Sequence, residues 1–162
     1  VIILLDSGVL DLLCYPIDDK SLAEDKKIKI KQCLNWFYSL LAKGVYICTS
    51  QISDYEVRRE FIRINSKGLE NLDNFKQEKI IDFLPLTTEV MEKSAENWAK
   101  IRNINLPTAD NKNIDADMII LAQWSLLKEE NQGQEILIAT TNVKHLKIIA
   151  QDNAQEWEKI KY

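Results

Sequence analysis

Apolar residues fall along this chain in two kinds of pattern. VIILL at 1–5, VYICT at 45–49, KIIDFL at 79–84 and EILIAT at 135–140 are short runs rich in branched side chains. Such runs read as strands buried on both faces, as parallel strands are. Between them the spacing is helical. A short helix is expected over 8–14, after Asp6 and with Ser7 as its cap. Pro16 and Asp18-Asp19 mark a loop. Residues 22–43 present Ile28, Cys33, Leu34, Phe37, Leu40 and Leu41 at helical spacing, and Gly44 suits the stop. A helix from about 52 to 66 takes Ile52, Tyr55, Phe61, Ile62 and Ile64 as its apolar side, and Gly68 restarts a helix to about 76. Pro85 closes the third strand. The next helix, about 88–103, puts Val90, Met91, Ala95, Trp98 and Ile101 on one side. A polar loop, LPTADNKNIDAD at 106–117, leads into an apolar helix through Met118, Leu121 and Trp124. TNVKHL at 141–146 begins a last helix, and Trp157 to Ile160 suits a short edge strand.

Strands alternating with helices imply a parallel sheet covered on both faces. No repeat, linker or low-complexity tract interrupts the chain. The expected architecture is one three-layer α/β/α domain over 1–162, with a central parallel sheet of four to five strands.

Composition narrows the chemistry. Only 4 Gly and 3 Pro occur in 162 residues, too few for a turn-rich β-sandwich, and no Gly-rich phosphate loop or dinucleotide fingerprint is present. A single His, His145, excludes zinc sets of two or three His. Cys14, Cys33 and Cys48 form no CxxC pair and read as buried thiols. The net charge of −4 argues against broad nonspecific binding to nucleic acid. No apolar run approaches the roughly 20 residues of a membrane span, and VIILL is too short, and lacks the basic flank, for a signal peptide core. The expected location is the cytoplasm. With 25 carboxylates, any chemistry here falls to acids.

In open α/β sheets, sites form at the carboxyl ends of strands. The predicted topology delivers Asp6 there after the first strand, and Glu56 on the helix after the second. Asp115 and Asp117 open the apolar helix, and Thr140, Thr141 and Asn142 follow the fourth strand. Alone, each has a plain role: Asp6, Asp115 or Asp117 as a helix cap, Glu56 in a pair with Arg59, Thr140 and Asn142 as caps. Together they suit Mg²⁺ or Mn²⁺, which prefer oxygen ligands and relieve repulsion among close carboxylates. A cation so held suits hydrolysis of a phosphodiester by water. Trp98 and Trp124 are expected in the core.

The order LLDSGVL (4–10), TSQISDYEVRREF (49–61), DADMIILA (115–122) and ATTNVKHL (139–146) resembles the PIN-domain nucleases, especially the VapC-like ribonucleases. The resemblance spans nearly the whole chain. It implies an α/β/α fold, Mg²⁺ or Mn²⁺ held by acids, and single-stranded RNA as substrate. Many members are toxins blocked by a small antitoxin protein, and many form homodimers. Carried over by motif, the acids fall on Asp6, Glu56 and Asp117, as metal ligands and catalytic residues. Asp115 is a further candidate ligand. Ser7 matches the small hydroxyl residue that orients the site, and Thr140 and Asn142 stand in support. The fourth motif usually offers an acid, and Thr141-Asn142 stands there instead, which puts a second metal in doubt. Arg59, Arg63 and Lys144 are candidates for the RNA backbone, whereas Lys26, Lys27, Lys29 and Lys31 read as a solvated helix face. The alternative is a catalytically impaired PIN-like module that binds RNA or protein. A receiver-like domain would want paired acids after the first strand and an Asp after the third, and Leu84-Pro85 stands there.

Overall fold

The computed structural model describes residues 1–104 and 114–162. The strands are β1 (Ile2–Leu5), β2 (Tyr46–Ser50), β3 (Asp82–Leu84), β4 (Ile136–Thr140) and β5 (Ala154–Glu156). They pair in parallel in the order β3-β2-β1-β4-β5. Alternation along the central strands splits the core in two. Ile3, Leu5, Leu137 and Ala139 join one apolar cluster, while Ile2, Leu4, Ile136 and Ile138 join another on the opposite face.

The first cluster is covered by α1 (Ser7–Cys14), α2 (Glu24–Ala42), α3 (Gln51–Arg63) and α4 (Gly68–Gln77), through Leu10, Phe37, Phe61 and Leu72. The second is covered by α5 (Thr88–Asn103), α6 (Ile114–Glu130) and the one-turn α7 (Lys147–Ala150), through Ile101, Leu121, Trp124 and Ala150. The result is three layers, helices on both faces of a parallel sheet. The chain leaves β1 toward β2 on one side and later returns to β4 on the other. The switch point therefore lies between the carboxyl ends of β1 and β4, where such sheets open a crevice. Among the described residues no helix is long and apolar enough to cross a membrane.

Several expectations need correction. Asp6, not Ser7, caps α1, its carboxylate accepting from Val9 N–H. In α2 the buried stripe is Ile30, Cys33, Phe37 and Leu40, and Ile28 is 52% exposed. Ile28 is five residues before Cys33, half a turn out of phase, whereas Ile30 is in phase. In α3 the buried face is Ser53, Asp54, Val57 and Phe61, and Tyr55, Ile62 and Ile64 are exposed. In α5 it is Val90, Ser94, Asn97 and Ile101, while Met91, Ala95 and Trp98 form the adjacent exposed stripe. α6 sits against the first stripe, so packing direction overrides side-chain apolarity. Trp124 is buried, as expected, and its indole N–H donates to Ile136 O at 2.9 Å.

The last helix begins at Lys147 rather than near 141, which leaves 141–146 as a turn. The edge strand is Ala154–Glu156, and Trp157–Lys159 is a 3₁₀ turn whose Trp157 enters the core. The polar loop expected at 106–117 lies outside the described residues up to 113, and from Ile114 the chain is already helical. Gly44 does end α2: at φ 73° its N–H reaches Leu41 O.

Candidate active site

Asp6 leaves the end of β1 at the switch point and is only 8% exposed. Its two oxygens are held from two directions. Oδ1 accepts from Val9 N–H at 3.0 Å, the cap of α1. Oδ2 accepts from the Thr140 hydroxyl at the end of β4. Thr140 Oγ1 in turn accepts from Asn142 N–H at 2.9 Å, so the turn after β4 orients Thr140 and Thr140 orients Asp6.

Around Asp6 a cavity of about 540 Å³ opens. Glu56 from α3 and Asp117 from the first turn of α6 line it with Asp6. Three separate segments thus each carry a carboxylate to the wall of one cavity. Ser7 and Asn142 also border the cavity. Asn142 Oδ1 accepts from Lys144 N–H at 3.2 Å.

Burial raises the Asp6 carboxyl to about 6, against the hydrogen bonds from Thr140 and Val9, and the nearby Asp117 charge adds to the rise. Asp117 is also raised, first by burial and then by Glu56, with His145 opposing. The three acids therefore act on one another as a chain of like charges, and a cation among them would relieve it.

Other predicted residues stand apart. Asp115 is exposed and does not line the cavity. Arg63 does not line it either: its guanidinium holds Glu60, with contacts of 2.9 and 2.5 Å. Lys144 is exposed outside the cavity wall. Arg59 does line it, 3.7 Å from Glu56.

Three further polar residues line the cavity outside the predicted site: His145, which the sequence offered only as a polar residue near a helix start, and Asp11 and Glu60. His145 places Nδ1 3.0 Å from Asp117 Oδ2, tying the turn after β4 to α6. Asp11 and Glu60 add carboxylates to the wall. The signal for Glu60 was its place one turn after Glu56, and for Asp11 its place one turn after Ser7. His145 gave only its place in the fourth motif.

The donor set is carboxylate and hydroxyl oxygen, which fits a hard divalent cation such as Mg²⁺ or Mn²⁺. The buried, poorly compensated charge of Asp6 fits it as well. Among the described residues no three His, Cys, Asp or Glu side chains already surround one point as ligands. The arrangement is a pocket of converging acids, not a closed cage.

No protein-family model matches the sequence, and no curated protein matches it. Among solved structures, the fold is similar to a chain of VapBC2 from Rickettsia felis, a structure bound to a DNA fragment from their promoter. The two share 16% identity with a TM-score of 0.54, over 97% of this chain and 99% of that one. At that identity the likeness is one of fold.

Proposed function

We propose that this chain is a metal-dependent endoribonuclease that hydrolyses phosphodiester bonds of single-stranded RNA, of the toxin type. The observation that carries this reading is the convergence of Asp6, Glu56 and Asp117, from three segments, at the switch point of a parallel sheet. The order of the four motifs and the VapBC2-like fold support it.

In this reading Asp6, Glu56 and Asp117 hold one Mg²⁺ or Mn²⁺. When bound, such a cation lowers the pKa of water and stabilises charge on a phosphoryl oxygen. The protein supplies position. Thr140 and the α1 cap fix both oxygens of Asp6. His145 holds one oxygen of Asp117, whose side chain lines the cavity. Arg59, loosely paired at 3.7 Å, can exchange Glu56 for a substrate phosphate. Ser7 and Asn142 contribute polar groups to the rim. The partners that go with this reading are a small antitoxin protein and a second copy of the chain, in the cytoplasm.

The test is cleavage of an end-labelled single-stranded RNA. Wild type should cut it with Mg²⁺ or Mn²⁺ and stop in EDTA. Asp6→Asn and Asp117→Asn should each lose at least about 100-fold while keeping the fold, since both are asked to hold the cation. Full activity in both variants would remove these residues from the site.

One observation favours the second reading, a PIN-like module that binds RNA or protein without cutting. The fourth segment supplies Thr140, Thr141 and Asn142 where an acid was expected. RNA that is bound but left intact in Mn²⁺ would select this reading.

A further inference from the structure

We propose that the substrate groove continues beyond the carboxylate pocket, over the start of α1, to an anion subsite made by Lys26 and Lys29 of α2. This subsite would take backbone phosphates of the same RNA strand. The inference rests on the ribonuclease reading and deepens it: the substrate is a polymer that fills two lobes, not a mononucleotide.

The geometry is that of one trough. A second cavity of about 450 Å³ carries Lys26 and Lys29 on its wall. It shares Gly8, Asp11 and Thr141 with the carboxylate cavity of about 540 Å³. Those shared residues form the saddle between the lobes. At the saddle a Cβ on Gly8 would stand 2.2 Å from Thr141 Oγ1. Only glycine lets α1 lie this close to the turn after β4 without a side chain between the lobes. Each lobe alone falls within the roughly 300–1,000 Å³ of a small-molecule site. A single nucleotide in the first would leave the second empty.

The charges are placed for a strand. Lys26 and Lys29 are three apart on the first turns of α2, hence on one side of it. Asp11 and Asp25 also face this lobe, so the lysines keep it from being uniformly acidic. Their present partners are weak. The Lys26 ammonium lies 4.1 Å from the centre of the Tyr15 ring. Lys29 is 3.8 Å from Glu158, with both side chains about half exposed, and exposed pairs of this kind are worth at most about 1 kcal/mol. Either lysine can turn to a phosphate at little cost. Arg58, in contrast, is held by Asp54 and Asp73 at 2.9 and 2.8 Å. Arg59 borders the first lobe with Asp6, Glu56 and Asp117, the two lysines border the second, and Asp11 borders both. A strand lying along the trough meets a cation in each lobe, and these remote contacts hold it for cleavage.

The experiment is an anisotropy titration of a labelled ten-nucleotide single-stranded RNA, in Mg²⁺ over a series of KCl concentrations. The parent is the full chain carrying Asp117→Asn, so that RNA stays intact. Adding Lys26→Ala and Lys29→Ala should weaken binding about tenfold or more. It should also lower the slope of log affinity against log salt by about 1.4, at about 0.7 for each phosphate no longer neutralised. Lys26→Arg with Lys29→Arg should restore both, and a thermal melt checks that the fold is kept. Parent binding with an unchanged slope in the alanine variant overturns the subsite and leaves the ribonuclease reading standing. Weaker binding with no change in slope assigns the lysines a structural role and also overturns it. A parent that binds no RNA, alongside a wild type that cuts none, overturns both.

Discussion

At the residue scale, Asp6 caps a helix and also holds a buried charge at the switch point. Capping favours the ionised form, and burial disfavours it more, so its carboxyl titrates near 6 rather than 3.8. The folded state holds the Asp6 proton more tightly than the unfolded chain does. That contribution is fully present below about pH 4 and is lost as pH rises through 6. Asn at this position keeps an acceptor for Val9 N–H and carries no charge. In EDTA, Asp6→Asn should therefore melt close to wild type at pH 4 and a few degrees above it at pH 7, as thermal melts across that window will show. The same substitution should abolish cleavage, so stability and activity move in opposite directions. His145 is the complementary case, acting through Asp117 at 3.0 Å. His145→Ala should reduce metal affinity or activity by about 10–100-fold, the usual cost of losing a ligand's outer partner. His145→Gln or →Asn, if it returns a donor to Asp117, should recover part of the loss in the same Mn²⁺ titration.

The elements show which parts of this arrangement the sequence makes legible. The ends of the central strands were readable because unbroken apolar runs have few alternatives and the first, second and fourth runs end at a polar residue. That fixed Asp6 after β1 and Thr140 at the end of β4. The third run, interrupted by Asp82 and closed by Pro85, gives only the three-residue edge strand Asp82–Leu84. Helix faces were less readable. Met91 and Trp98 are more apolar than Ser94 and Asn97, yet α6 packs on the latter pair's side of α5. Asp54 is buried on α3, where Arg58 and Lys76 hold it at 2.9 and 3.0 Å. Burial there is set by the neighbouring element, which a single sequence does not display. His145 was hidden for the same reason: its partner lies 28 residues away on another element. The tight meeting of α1 with the turn after β4 gives an element-scale prediction. Gly8→Ala forces Cβ against Thr141, and should cost about 1–3 kcal/mol in denaturant unfolding. An unaltered midpoint would mean that the contact relaxes freely.

For the molecule as a whole, the topology makes the site. A parallel sheet that reverses its winding between β1 and β4 leaves a crevice, and α3 and α6 bring Glu56 and Asp117 to its edge from opposite layers. The acids therefore gather only when the whole sheet is formed, and no short segment could hold them alone. The central claim is that this gathering is a divalent-cation centre. Its most direct test is a calorimetric titration of Mn²⁺ into the full chain near neutral pH, with Asp6→Asn and Asp117→Asn run beside it. The account predicts saturable binding to wild type and its loss in both variants. No binding to wild type, or equal binding to all three proteins, would contradict it.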